Sequence, residues 1–534
     1  MLRVGYLPSG SDAITRAAVA SSFNHFPPAD QGVAYAINFS MTPEVTPPPR
    51  PSVAEAAFAP VGPPQSAEEQ KPTHEAVFIE TGQLARTEHY GWRTVKGAPS
   101  LEEVNSSVRV PPLTGSWHAK LKAFAGLGFV ISVGYMDPGN WATDLSGGAQ
   151  FGYTLLFVIL LSSIFSMFLQ HLALKLGAVT ERDLAQACRE AYPRWVNYGL
   201  WVIAEVAIAA TDLAEVIGSA IALNLLFGIP LWAGVLITSV DVLFILFVGL
   251  HNFRLFELLI FLLVATIAGC FAYELAAVGP DWAKVATGLY PHSSIITNPD
   301  QLYIGLGILG ATVMPHNLYL HSSIIQTRNF PRTTQGKRMA VLYGTLDSTI
   351  SLCLAFFVNA AILILAAAAF FYTVNPYPDV DIHSAYSLLA PAVGQNAARV
   401  LFGVALLCSG QNATITGTLA GQIVMEGFVN IRMKPWLRRL LTRLVAIIPA
   451  GIVAGVGGQR TSGKLLVLSQ VVLSLALSFA VVPLVHFTSS KELMGKFVNG
   501  LVVKLLAILL AIVIVLLNSY LLVQVFRTNQ FSQA

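Results

Sequence analysis

From about Leu121 onward the sequence is a series of apolar runs, each about 20 residues long, the length a helix needs to cross the hydrocarbon core of a bilayer. Eleven such spans are expected, at 118–148, 151–177, 196–226, 230–251, 254–278, 302–327, 338–372, 397–425, 440–457, 464–486 and 500–525. Lipid offers no partner to a backbone N–H or C=O, so a chain of this kind must fold as a bundle of helices. The first and sixth spans break that pattern. Asp137-Pro138-Gly139-Asn140 interrupts one and Met314-Pro315-His316-Asn317 the other, each placing a proline where a helix should run unbroken. Such breaks persist in lipid only around a cavity or buried site, so the two tetrapeptides mark where the chain does its work.

Composition agrees. Of 534 residues 54% are hydrophobic and only 11% charged, with a mean hydropathy of +0.62. Soluble domains carry roughly 25% charged residues. The net charge of +3 forms no basic stripe, so nucleic acid is not an expected partner. Cys188, Cys270, Cys353 and Cys408 are scattered without CxxC spacing and read as buried apolar filler. Residues 1–115 differ from the rest: Pro47-Pro48-Pro49 and Glu68-Glu69-Gln70-Lys71 sit in a stretch with no sustained apolar period. A disordered cytoplasmic tail is expected there, without the apolar core of a signal peptide, followed by a transmembrane domain over 116–534.

Placement of Lys and Arg sets the orientation. The even-to-odd connections carry Arg182, Arg189, Arg194, Arg254, Arg328, Arg332, Lys337, Arg338, Arg432, Lys434, Arg438, Arg439, Arg443, Lys491, Lys496 and Lys504, whereas the opposite side carries Lys284, Arg399, Arg460, Lys464 and Arg527. This predicts a cytoplasmic N-terminus and an external C-terminus, with 279–301 and 373–396 as external loops. Breaks in the first and sixth spans are what two inverted repeats of five helices would give. Half-helix ends then converge near mid-membrane and offer dipoles and carbonyls to an ion.

The breaks supply a carboxylate from Asp137, an amide oxygen from Asn140, a thioether from Met314 and an imidazole from His316, while unwound backbone near Gly134 and Ala311 adds carbonyls. Oxygen ligands alone suit magnesium or calcium. A thioether is a poor ligand for those ions and a tolerable one for manganese, iron, cobalt or cadmium. In the competing reading Met314 merely packs and Asp137 caps the second half-helix.

The stretch Gly134-Tyr135-Met136-Asp137-Pro138-Gly139-Asn140, followed by Met314-Pro315-His316-Asn317-Leu318-Tyr319-Leu320-His321, resembles the Nramp family of proton-coupled divalent-metal transporters. Thr211-Asp212-Leu213-Ala214-Glu215, Ser409-Gly410-Gln411, Thr416 to Gln422, Arg438 to Arg443 and Ser469-Gln470-Val471 extend the likeness over about residues 115–526, nearest the bacterial manganese-transporting branch. The resemblance implies an all-α polytopic, LeuT-like fold and a metal held by Asp137, Asn140, Met314 and the Ala311 carbonyl, with the Gly134 carbonyl and Gln470 joining in some conformations. Gly126-Leu127-Gly128 stands where Gly-Pro-Gly is common before the first break, and Ser478 where a proline is usual after Gln470; neither departure removes a proposed ligand.

An energy source is needed, and no GxxxxGK[ST] motif occurs. Buried titratable groups point to protons instead. Glu205, Asp212 and Glu215 share a broad face of the third span, and Arg439 and Arg443, four apart, suit a place opposite them. The resemblance implies a route from Asp137 and His316 through Asp212 and Glu215 toward that arginine pair; static salt bridges are the alternative. Asp241 and Asp347 are expected to bond across helices, Glu257 and Glu274 to be interfacial, and Trp141, Trp201, Trp232 and Trp282 to form an aromatic belt. His321 reads either as part of a water pathway or as a satisfied packing residue.

The expectation is a cell-membrane importer of Mn2+, Fe2+ and related ions with protons. It needs no cofactor, shows no nucleophile–base pair of an enzyme, and has metal, proton and bilayer as partners with no obligate protein partner evident. The rivals are an organic-solute symporter of the same architecture and a membrane metal sensor.

Overall fold

The structure, a computed structural model, describes residues 99–238, 253–373, 394–431 and 458–528, together with 77–78, 84–85 and single positions in between. Of the tail expected over 1–115, residues 1–98 therefore lie almost wholly outside the described residues, as do Asp241 and the ninth span with Arg439 and Arg443.

The first span is built in pieces: α1 (Trp117–Phe124), α2 (Leu127–Ser132), a 3-10 turn (Val133–Met136) and α3 (Pro138–Phe151). Pro138 occupies the first position of α3, where its missing N–H costs nothing, and Asp137 caps it by accepting the Asn140 amide at 2.8 Å. After Gly152, at φ 60°, α4 (Leu156–Thr180) follows; α5 (Leu184–Ala191) opens on a capping box of Asp183 and Gln186. Next come α6 (Arg194–Phe227), a helical stretch over 231–238, α7 (Phe253–Val278) and α8 (Trp282–Thr287). The sixth span is α9 (Pro299–Thr312) and α10 (Pro315–Ile324), parted at Val313 and Met314. The remaining long helices are α11 (Thr334–Ala366), α12 (Gln395–Val429), α13 (Gly458–Thr488) and α14 (Leu501–Thr528).

Among the described residues eight helical stretches are long and apolar enough to cross a bilayer. The sixth span is not among them because its two pieces have 14 and 10 residues. The fourth is described only to 238. The outermost helix, α14, leaves most of its apolar surface uncovered by protein, as lipid-facing surface should be; Leu516 is 62% exposed.

α6 lies along α12, α11 crosses α2, α3 and α4, and α13 packs on α6 and α9. Small residues permit these close crossings. A Cβ on Gly177 of α4 would fall 1.9 Å from the Ser322 carbonyl oxygen of α10.

The junction of α1 and α2 is held by charge. Gly126 there has φ 109°, a conformation glycine adopts without cost. Arg254 donates to the carbonyls of Ala123 and Ala125 at 2.6 and 2.7 Å, and Arg328 to that of Ala123 at 3.1 Å. Glu257 joins the two guanidiniums at 2.9 and 2.6 Å. From the other side Asp347 accepts the Gly126 and Gly128 amides at 3.3 and 2.6 Å, the cross-helix bonding expected of it. Glu257 is thus 5% exposed and paired, and Glu274 on α7 is fully buried, which corrects their interfacial reading. Nearness to a span end in sequence does not say which face of the helix a residue occupies. The same holds for Trp141, which is fully buried between Phe271 and Phe402 at ring distances of 4.7 and 5.1 Å. Trp232 and Trp282 are exposed, as a belt requires.

Residues 99–115, grouped with the tail by composition, lie against the bundle. Ser100 donates to Asp183 at 2.7 Å, the Leu101 amide to Glu426 at 3.1 Å and the Ser106 amide to the Gln326 carbonyl at 2.9 Å. Val108–Arg109 pairs in parallel with Arg328–Asn329.

Candidate functional site

The two breaks meet. A Cβ on Gly134 would fall 2.2 Å from Nδ2 of Asn317, so the first turn of α10 rests directly on the unwound part of the first span. Between them sits Asn140. Its Nδ2 is 2.8 Å from Asp137 Oδ1, 3.2 Å from the Ala311 carbonyl and 3.4 Å from the Gly134 carbonyl. Three acceptors thus converge on one point, which is what a small cation requires of its surroundings. The Asn140 amide nitrogen occupies that point.

What is left unbonded carries the argument. Asp137 Oδ2 and Asn140 Oδ1 are buried and have no hydrogen-bond partner. A buried acceptor without a donor costs about 1–3 kcal/mol, more for a charged one, and survives where something else supplies the positive charge. Rotation of the Asn140 amide would turn Oδ1 toward the same acceptors, an arrangement that is favourable only with a cation among them.

Met314 is fully buried and stands at the N-cap of α10, with the Asn317 amide donating to its carbonyl at 3.2 Å. Gln470, on α13, leans over the start of α3: a Cβ on Gly139 would fall 1.9 Å from its Nε2, and its Oε1 has no partner. Among the described residues no group of three His, Cys, Asp or Glu side chains is placed to hold a metal. The groups that the structure brings to one point are the Asp137 carboxylate, the Asn140 amide and the Gly134 and Ala311 carbonyls; with the Met314 thioether and the Gln470 amide added, as the sequence reading expects, they would make up a candidate donor set. This donor set suits a divalent ion softer than magnesium.

The unwound carbonyls that do not face this point are satisfied elsewhere. Asn359 of α11 donates to the Tyr135 carbonyl at 2.8 Å, and the Ser409 hydroxyl of α12 donates to that of Met136. Sequence reading gave neither this task. Both are polar residues inside long apolar helices, which is the one signal that would have found them.

His316 is buried beside the centre; neither ring nitrogen has a hydrogen-bond partner, and it lies within electrostatic reach of Asp212. Asp212 and Glu215 are fully buried on α6 and converge on α12, where a Cβ on Gly417 would fall 2.9 Å from Glu215 Oε1 and 3.5 Å from Asp212 Oδ1. Glu205 is half-buried and accepts from Trp201 Nε1 at 3.1 Å, outside that convergence. Arg439 and Arg443 fall outside the described residues, so their expected place opposite the carboxylates is not seen. His321 binds Gln170 through Nδ1 at 2.9 Å, and Gln170 donates to the Tyr135 hydroxyl at 2.8 Å. The four cysteines are free thiols, Cys188 and Cys270 buried and the others half-buried.

A family profile described as natural resistance-associated macrophage protein-like (Nramp) matches residues 128–524. A protein of Listeria welshimeri named divalent metal cation transporter MntH is 55% identical over 437 residues, covering 82% of this chain and 97% of its own. A protein of the same name from a Nostoc species is 56% identical over 426 residues, covering 80% and 96%. Among solved structures, a manganese transporter of Eremococcus coleocola superposes with a TM-score of 0.73 at 42% identity, over 79% of this chain and 90% of its own. MhsT, solved with L-phenylalanine, shares only the fold, at a TM-score of 0.53 and 13% identity.

Proposed function

The chain belongs to the Nramp family, and on that premise we propose that it is a secondary transporter carrying Mn2+, together with Fe2+ and related ions, by symport with protons. Its relatives are transporters, not enzymes. The observation that carries the reading is the pair of buried, unbonded oxygens, Asp137 Oδ2 and Asn140 Oδ1, beside carbonyls of both broken helices. A divalent ion is the partner they lack, and Met314 favours a transition metal over magnesium.

In this mechanism the ion arrives at Asp137 and displaces a proton. The proton leaves through Asp212 and Glu215, with His316 as the neighbouring group able to exchange it. The architecture proposed is eleven spans in two inverted repeats of five plus one, with a cytoplasmic N-terminus and an external C-terminus. The half-buried Glu205 is assigned a place at the edge of the proton route.

Radiolabelled Mn2+ uptake into proteoliposomes, with and without an inward pH gradient and with magnesium as competitor, tests this. Uptake that the gradient stimulates and magnesium leaves untouched is expected. Replacing Asp212 by Asn should abolish metal-evoked acidification; undiminished proton flux would remove Asp212 from the route.

A further inference from the structure

α13 and α14 are joined by a short connection and run antiparallel. Between their ends lies a cavity of about 520 Å³ lined by Val482, Val485, His486, Ser489, Ser490, Lys504, Ile508, Ala511 and Ile512. The lining is graded along its length. His486 near the end of α13 and Ser489 and Ser490 just beyond it line one end, and Lys504 lines the same end from the first turn of α14. One to two turns deeper only Val482, Ile508, Ala511 and Ile512 remain, and Val482 and Ile512 are about half exposed on the side where lipid lies.

The polar end carries groups suited to an anion. No ion pair among the described residues involves Lys504. The Ser490 hydroxyl, although at a helix start, caps no backbone amide. His486 has Nδ1 bonded to the Tyr192 hydroxyl at 2.9 Å, which fixes its ring at this end of the cavity. Lys491 and Lys496 lie exposed at the same end against a single acid, Glu492.

From this gradient we infer that the α13–α14 cavity is a binding site for one anionic phospholipid. The headgroup phosphate sits against Lys504, His486 and the two serines, and an acyl chain lies along Ile508, Ala511 and Ile512. A soluble partner cannot reach the deep, apolar half, which stands at the level of the hydrocarbon, and a zwitterionic headgroup leaves the lysine excess uncompensated. The site is independent of what the protein transports.

The test is native mass spectrometry of the full chain purified in mixed micelles containing phosphatidylglycerol or phosphatidylcholine. One phosphatidylglycerol retained per chain, at several-fold higher occupancy than phosphatidylcholine, is expected. Lys504→Gln should lose most of that retention, and Ala511→Trp, which fills the deep end, should lose it with the cation intact. Lys284→Gln, far from the cavity, should retain it. Equal retention of the two lipids, or unchanged retention in Lys504→Gln, overturns the proposal. So does displacement of the lipid by millimolar inorganic phosphate, which would mark a free-anion site. A chain that retains no lipid and whose dimers are lost in Ala511→Trp gives the cavity to a second copy instead.

Discussion

A thioether at residue 314 earns its place only if the cargo is soft. Met314→Ala should leave the chain folded while uptake of Mn2+ falls on the order of tenfold, the effect of about 1.4 kcal/mol. Magnesium or calcium, without effect on the parent, should then compete in the same assay. At the other extreme of chemistry, burial raises the Asp183 carboxyl from 3.8 to about 6, partly opposed by its bonds from Ser100 and Gln186. Between those values the unfolded chain has lost its proton and the folded one keeps it, so stability falls as pH rises through the window, by on the order of 3 kcal/mol. Asp183→Asn keeps an acceptor but does not titrate there. The thermal midpoint of the parent should drop relative to that variant between pH 4 and pH 6.5.

At the scale of helices, much was legible and some was not. Lipid forces the backbone into helices, so the long apolar helices of the described residues could be located from the hydropathy, and prolines at 138 and 315 announced the breaks. The convergence of Asp137, Asn140 and the Gly134 and Ala311 carbonyls was legible for the same reason, since these residues lie in or beside the two breaks. Asn359 and Ser409, which satisfy the neighbouring carbonyls, were not, because their contacts cross 224 and 273 residues of chain. The face that Glu274 presents was equally hidden; hydropathy reports that a helix is apolar, not what it packs on. Glycine crossings fall between these cases. Gly177→Ala places a methyl against the Ser322 backbone, which no side-chain rotation relieves. It should lower stability by about 1–3 kcal/mol as the two helices are forced apart, read as a drop in thermal midpoint.

For the molecule as a whole, the stretch over 99–115 ties the α4–α5 connection, the end of α12 and the end of α10 to one another by backbone and side-chain bonds. Removal of residues 1–98 should therefore leave the thermal midpoint of the described bundle and its metal uptake unchanged. A deletion extended to 110 removes all of those bonds and should lower the midpoint by several degrees; equal midpoints for the two truncations would show the stretch to be ornamental. The same end of the protein holds the Gly126 joint, its carbonyl side gripped by two guanidiniums and its amide side by Asp347. Any pivot of α1 about that joint must release all three grips in a single movement. The angle between α1 and α2 is thereby set by three separate contacts acting together, not by the freedom that a glycine would otherwise lend the chain at that point.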